Sequence, residues 1–434
     1  PVIIDFPKDV QLEKTAGEPD YDPPMNLPGY KPECKPVAPA QVKQVLAAIK
    51  RSRKPILYVG GGAINSEAAE ELYKFATRTK IPVTMTLMGL SAFPGSHPQS
   101  MHMLGMHGTV YANYAVNDAD LLLAFGVRFD DRVTGKFDEF CKHGTIVHVD
   151  IDAAELNKNR KAHLPVVGDI KDALTRLNKM IVKRPLNKKH TGWLARIDEW
   201  KKKAPFNYRI TPEIANSDHM IDHMQGKESE VILQQMVIEE LYEQTKGEAY
   251  ITTGVGQHQM WAAQWFKYKF PRQFVSSLGL GSMGYGFPAA LGVKVAFPDK
   301  QVIDIDGDGS FLMNIQELAT AHVEKIAAKA IILNNQHLGM VVQWEDNFYG
   351  GNRGHTYLGD PKDRPSIYPD YVKVCTSFGV KCERVIYKKD LRAAIQRMLD
   401  ADEPYVLDVV VPYSTHVIPF IPAGKTVADM IWKA

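Results

Sequence analysis

IDIDGDGSFLMN, residues 303–314, and AIILNNQHLGM, residues 330–340, are the stretches on which the reading of this chain turns. A strand in a parallel sheet covered on both faces should be nearly all apolar. Here Asp304, Asp306 and Asp308 interrupt such a strand and the turn after it. A buried carboxylate is costly unless it is paired or holds a cation. Gly307 and Gly309 flank Asp308 and let the backbone approach a ligand closely. The next strand ends in Asn334-Asn335, 27 residues after Asp308. That length allows one helix, about Asn314–Glu324, and a return to the adjacent strand. Asp308 and Asn335 then meet at the carboxyl ends of neighbouring strands, where open α/β sheets bind ligands. One carboxylate, one amide oxygen and room for phosphate oxygens suit Mg2+. The helix that begins after Ser310 aims its N-terminus at the same place and favours an anion. A plain capping turn, with Asp308 satisfying helix amides, remains open on spacing alone.

Outward from this stretch the rhythm of apolar strands and helices continues. Strand-like runs fall at 249–253, 301–305, 330–334 and 405–411, and upstream at 56–62, 81–87, 120–126, 145–151 and 165–167. Val42, Val45, Leu46 and Ile49 mark a helix by their spacing. Alternating strands and helices predict an α/β fold made of two doubly wound parallel-sheet domains. The expected divisions are 1–36, a strand and a proline-rich linker; 37–180, a central domain; 181–228, a linker; and 229–434, a C-terminal domain whose tail begins near Thr415. Inside the linker, Trp193, Leu194, Ile197 and Trp200 predict one amphipathic helix, followed by Lys201-Lys202-Lys203 as a solvated face.

Composition excludes several classes. Hydrophobic residues make up 45% and charged residues 24%, so the chain is globular. The formal net charge of +2 leaves no positive field for nucleic acid. Cys34, Cys141, Cys375 and Cys382 contain no C-x-x-C pair and are too few for a disulfide scaffold. No apolar run reaches the roughly 18 residues of a membrane span.

The central region carries a second ligand pattern at successive strand ends. Gly60-Gly61-Gly62 closes one strand and Thr86-Leu87 the next, with Leu104, Gly105, Met106 and His107 in a loop. Gly126, Val127, Arg128, Phe129, Asp130, Asp131 and Arg132 follow a third strand, and Asp150-Ile151 end a fourth. Glycines, backbone donors and acids in this series suit a long dinucleotide, whether NAD, FAD or a remnant site. Gly279, Gly281 and Gly284 also satisfy G-x-G-x-x-G, but no acid follows at the end of a second strand. A nicotinamide dehydrogenase is therefore rejected.

GDG, 24 intervening residues and NN form the fingerprint of thiamine-diphosphate enzymes. With GVGQHQMWAAQW (254–265) and LNNQHLGMVVQWED (333–346), essentially the whole chain resembles the catalytic subunit of the acetohydroxyacid synthase (acetolactate synthase) family, plant type. The resemblance implies that Asp308, Asn335 and the His337 carbonyl ligate Mg2+. It implies thiamine diphosphate against Gln257, His258, Gly309, Ser310, Gln336, Leu338, Gly339 and Met340, with Gly281, Ser282 and Met283 bordering the rings. Met283 matches the bulky residue that bends the coenzyme. The central segments, with Gly168-Asp169-Ile170, would bind FAD without net redox turnover. Arg132 would take the carboxylate of the second 2-keto acid and Trp344 would shape its pocket. Arg132, Met340 and Trp344 also match positions that herbicides contact.

The implied reaction decarboxylates pyruvate and joins the two-carbon unit to a second pyruvate or to 2-ketobutyrate, feeding branched-chain amino-acid synthesis. A pyruvate oxidase or decarboxylase of the same cofactor class is the alternative, and a non-catalytic binding chain a third. The implied partners are a second copy of the chain, with active sites at the subunit interface, and a regulatory small subunit. A plastid suits the plant-type resemblance, with the cytoplasm as the alternative. In the family a glutamate that activates the coenzyme lies in an N-terminal pyrimidine-binding domain. Val2-Ile3-Ile4 reads as the last strand of that domain, so the expectation is a chain without that glutamate, inactive by itself.

Overall fold

The computed structural model describes residues 5–22, 24, 36–181, 190–211, 214, 228–364 and 366–432. The strand expected at Val2–Ile4 lies outside the described residues. Pro1–Lys35 is a unit of its own, whose described part holds one short helix, Lys8–Leu12, with no buried residue. Pro36–Ala434 forms the second unit.

That second unit contains two six-stranded sheets, parallel throughout. The first comprises β1 (Pro55–Val59), β2 (Val83–Met85), β3 (Ser100–Met103), β4 (Leu121–Phe125), β5 (Thr145–Asp150) and β6 (Leu164–Val167), in the order β3-β2-β1-β4-β5-β6. The second comprises β7 (Tyr250–Thr253), β8 (Phe274–Ser276), β9 (Val302–Gly307), β10 (Lys329–Asn334), β11 (Lys381–Val385) and β12 (Tyr405–Val410), in the order β11-β12-β10-β9-β7-β8.

Helices cover both faces, which is why the central strands are apolar at almost every position. Side chains alternate along β1. Leu57 and Val59 enter one core with Val45, Ile49, Phe75 and Leu174 from covering helices. Ile56 and Tyr58 enter the opposite core with Ala112, Trp193 and Ile197. The helix Thr191–Lys203, expected within a linker, thus covers the central sheet, and Trp193 Nε1 donates to the Pro55 carbonyl at 3.1 Å. Trp200 completes that contact edge-on to Trp193 at 5.7 Å.

Other differences have local causes. The strands β3 (SMHM) and β11 (KCERV) lie at sheet edges, and neither carries a continuous apolar run. The helix expected over about Asn314–Glu324 is two short helices, Asp308–Leu312 and Glu317–Val323. Between them the backbone turns through short-range bonds such as Ile315 N to the Leu312 carbonyl, and Asn314 Nδ2 reaches out to the Gly284 carbonyl at 2.8 Å.

The strand orders place two crevices. In the first sheet the chain runs outward from β1 to one side and from β4 to the other. In the second it parts between β7 and β9. The loops after these strand pairs diverge and leave room for ligands at the carboxyl ends.

Candidate cofactor sites

In the second sheet, β7 ends at Thr253 and runs through Gly254-Val255-Gly256 into the helix Gln257–Trp265. Its neighbour β9 ends at Gly307, and Asp308 begins the next helix. Leu333 of β10 pairs with Gly307, which brings the Asn334-Asn335 turn beside Asp308. A pocket of about 90 Å3 forms there. Asp308, Gly309 and Ser310 line one side, and Asn335 with His337, Leu338, Gly339 and Met340 another. Gln257, His258 and Met283 close it.

Asp308 is only 3% exposed. Its carboxylate accepts from the amides of Gly309 and Asn335, yet burial dominates and pushes its pKa up to about 8. Such a group favours either a proton or a cation. Tyr371, itself buried, donates its hydroxyl to the Asp308 main-chain carbonyl at 2.7 Å. Among the described residues no cluster of three or more His, Cys, Asp or Glu could hold a metal. A cation at Asp308 would therefore rest on one carboxylate plus neutral oxygens and those of its ligand, the donor set that Mg2+ accepts. Asn335 Oδ1, which accepts from His337 N at 2.9 Å, is the neighbouring amide oxygen.

The other two acids of the motif belong to the sheet. Thr252 donates to Asp304 at 3.2 Å, and burial, reinforced by neighbouring Asp306, pushes the Asp304 carboxyl well above the usual carboxylate range. Asp306 accepts from Gly307 N at 2.9 Å and lies 3.2 Å from His258 Nε2. Asn334 likewise turns away from the pocket, donating to buried Asp408 at 2.8 Å. Arg384 pairs with Asp408 at 2.7 Å and with Asp370 at 2.9 Å. The two asparagines thus divide the work, Asn334 holding the sheet and Asn335 facing the pocket.

Glycines shape the cradle. A Cβ on Gly256 or Gly307 would fall 2.8 Å from the His258 ring. One on Gly309 would meet Leu358 at 2.8 Å, and one on Gly339 would meet Asn335 Nδ2 at 2.7 Å. Ser310 Oγ accepts from Gly284 N at 3.0 Å and so joins the glycine-rich loop to this helix. Met283 extends to within 3.8 Å of where a Gly309 Cβ would sit. Gln336 has φ +56° and sends its amide to the Tyr368 carbonyl, outside the pocket lining. Gly281 lines the larger cleft described next, and Ser282 is exposed.

The first sheet's crevice opens into a cleft of about 720 Å3. Gly61, Thr86, Leu87, Leu104, Met106 and His107 line it from the β1 and β2 side. Gly126, Val127, Arg128, Asp130, Arg132 and Asp150 line it from β4 and β5. Gly126 has φ +62°, and a Cβ there would fall 2.6 Å from Gly62 Cα, so the two turns meet backbone to backbone. Met340 and Gly256 border both cleft and pocket, which are therefore contiguous. Trp344 faces the cleft, backed by Phe348 at 4.9 Å and Phe420 at 5.8 Å. Arg132, beside Asp131 at 3.3 Å, lines the same cleft.

Eight of the residues expected at a dinucleotide, Gly60, Gly105, Phe129, Asp131, Ile151, Gly168, Asp169 and Ile170, lie outside the cleft lining. Gly105 packs on the Arg132–Val133 backbone with φ +92°. Phe129 is buried edge-on to Tyr58 at 5.5 Å. Asp131 pairs with Arg132, and Ile151 is exposed. Asp169 accepts from Asp172 N at 3.0 Å, and Ile170 enters the core beneath Gly62 and Gly126. Tyr58, Asn65 and Glu155 line the cleft without having been singled out from the sequence. The hydroxyl of Tyr58 on an otherwise apolar strand was the signal available.

Comparison with known proteins agrees with this geometry. Residues 42–177 match the thiamine pyrophosphate enzyme central domain, and 254–409 its C-terminal TPP binding domain. The chain is 51% identical over 434 residues to acetolactate synthase 2, chloroplastic, of Zea mays, covering 99% of this chain and 65% of that protein. It is 50% identical over 434 residues to the chloroplastic acetolactate synthase of Arabidopsis thaliana, covering 99% of this chain and 62% of that protein. The chain thus spans somewhat under two thirds of the length of these relatives.

Proposed function

The chain belongs to the thiamine pyrophosphate enzyme family, and from that premise we propose that it serves an acetolactate synthase. In this reading it joins a two-carbon unit from pyruvate to a second pyruvate or to 2-ketobutyrate. The observation that carries the reading is the convergence of Asp308, Asn335, Gly309 and Met283 on one pocket contiguous with a dinucleotide-sized cleft.

Asp308, Asn335 and the His337 carbonyl would hold Mg2+, and the glycines at 309 and 339 leave room for a diphosphate. Thiamine diphosphate, when bound, supplies the electron sink for decarboxylation of a 2-keto acid. The chain's own residues then do the positioning. Met283, unbranched and adaptable, lies beside Gly309, where it would pack against the coenzyme rings. Arg132 offers a planar fork to a carboxylate. Trp344, held by Phe348 and Phe420, supplies an apolar wall for the acceptor's alkyl group. FAD would occupy the central cleft across Gly61, Thr86, Gly126 and Asp150, with no net redox role. The reading includes a homo-oligomer with shared active sites, a regulatory small subunit and a plastid location like that of the chloroplastic relatives. Among the described residues no helix is long and apolar enough to cross a membrane.

The test is product analysis. Assembled with the pyrimidine-binding domain that the resemblance calls for and supplied with pyruvate, thiamine diphosphate, Mg2+ and FAD, the chain should yield 2-acetolactate while the flavin stays oxidised; by itself it should yield none. Acetaldehyde as the main product, or flavin reduced in proportion to pyruvate consumed, would replace this reading with a decarboxylase or an oxidase.

A further inference from the structure

We propose that Glu345 is a positioning residue for the metal loop, acting through the segment Gly354–Leu358. The proposal rests on the cofactor reading above. Glu345 lies on the helix Gly339–Phe348, is only 6% exposed, and lines neither the pocket nor the cleft. Its carboxylate gathers a loop. One oxygen accepts from Gly354 N at 2.7 Å. The other accepts from buried Thr356 Oγ1 at 3.2 Å and lies 3.5 Å from Arg353 Nη1. The main-chain carbonyl of Glu345 also accepts from Tyr349 N and Gly351 N, each at 2.9 Å.

The returning end of that loop is fastened to the candidate metal loop. Leu338 N donates to the Thr356 carbonyl at 2.8 Å, and Leu358 N donates to the Gln336 carbonyl at 2.7 Å. Between them His337 and Tyr357 form an antiparallel bridge, their rings 5.1 Å apart. Gln336 sits at φ +56°, a conformation that a non-glycine residue keeps only when its surroundings impose it. The staple imposes it, and it thereby fixes the direction of the His337 carbonyl. Glu345 fixes the staple.

Global folding does not account for the carboxylate. Residues 349–355 are largely exposed and contribute nothing to the hydrophobic clusters. A buried acid is a poor choice for stability alone, because an apolar residue of similar volume avoids its desolvation. What the acid supplies is two acceptors in fixed directions, one for an amide and one for a hydroxyl. Groups that orient metal ligands in this way typically change metal affinity while leaving the ligands in place.

Calorimetric titration of Mg2+ at saturating thiamine diphosphate tests the proposal on the wild type, Glu345→Ala, Glu345→Gln and Thr356→Val. Glu345→Ala should weaken Mg2+ binding roughly 10–100-fold. Glu345→Gln should recover part of the loss, since its oxygen still accepts from Gly354 N. Thr356→Val should lose less than Glu345→Ala. The metal-free melting temperature and FAD affinity should stay at wild-type values. Unchanged Mg2+ affinity in Glu345→Ala overturns the proposal. So does a loss matched by equal falls in flavin affinity and metal-free melting temperature, the mark of a merely structural role. If Glu345→Ala does not fold, Thr356→Val decides on the same criteria. A wild type that binds neither Mg2+ nor thiamine diphosphate refutes the cofactor reading and this proposal with it. Normal wild-type binding with unchanged variants refutes this proposal alone.

Discussion

The two sheets share an architecture and differ in what they place at the crevice. Both are six-stranded and parallel, and both open where the chain turns outward from two neighbouring strands. The first presents glycine turns, Gly60–Gly62 and Gly126, around an open cleft of about 720 Å3. The second presents a buried acid and an amide around a pocket of about 90 Å3. Backbone amides in a wide cleft suit a long ligand held at many weak points. A desolvated carboxylate in a tight pocket suits one compact charge. Topology therefore decides where each site lies, and a few strand-end residues decide which ligand it takes.

The sharpest way to break this division is Asp308→Ala. Mg2+ affinity should fall by about 100-fold or more, since a ligand is lost rather than an orienting group. Flavin affinity should be untouched, as read by calorimetry and flavin fluorescence on the same sample. A comparable loss of flavin would mean that the two sites are not separable.

Gly126→Ala is the reciprocal variant. The new Cβ would fall 2.6 Å from Gly62 Cα at a residue with φ +62°. Strain of about 1–3 kcal/mol is expected, with the β1 and β4 turns forced apart. Equilibrium dialysis should show weakened FAD binding while Mg2+ and thiamine diphosphate bind normally. Normal flavin affinity would place the dinucleotide elsewhere.

The contrast is also sharpened through pH. Burial raises Asp308 to about 8 in the metal-free protein, above its unfolded value. Between about pH 4 and 8 the folded chain therefore holds more proton than the unfolded one. Metal-free stability should fall as pH rises across that window, by up to roughly 1.4 kcal/mol per unit from this group. Urea unfolding should show the slope reduced in Asp308→Asn. Mg2+ should displace the proton, so calorimetry near neutrality in buffers of different ionisation enthalpy should register its release. No difference in slope between wild type and Asp308→Asn would remove the acid from the pH response.

Much of this was legible in the residues. Central strands such as ILYV and LLLAF are apolar because both faces are covered, so their period and length announce them. The edge strands SMHM and KCERV were not legible, because polar residues interrupt their apolar runs. The KCERV strand carries Arg384, whose place is set by Asp408 on the neighbouring strand. No local pattern encodes that pairing. Trp193 and Trp200 announced a helix but not the sheet face it covers.

Local residue choice sets the α/β rhythm, the acidic and amide strand ends and the glycine turns, because backbone sterics and strand periodicity act over a few residues. Long-range packing settles that Asn335 faces the pocket while Asn334 binds Asp408. It alone placed Phe129 and Ile170 beneath the cleft rather than in it, and set Glu345 to work through a loop. Those outcomes depend on which side chains meet across strands and loops, and local propensity carries no term for such encounters.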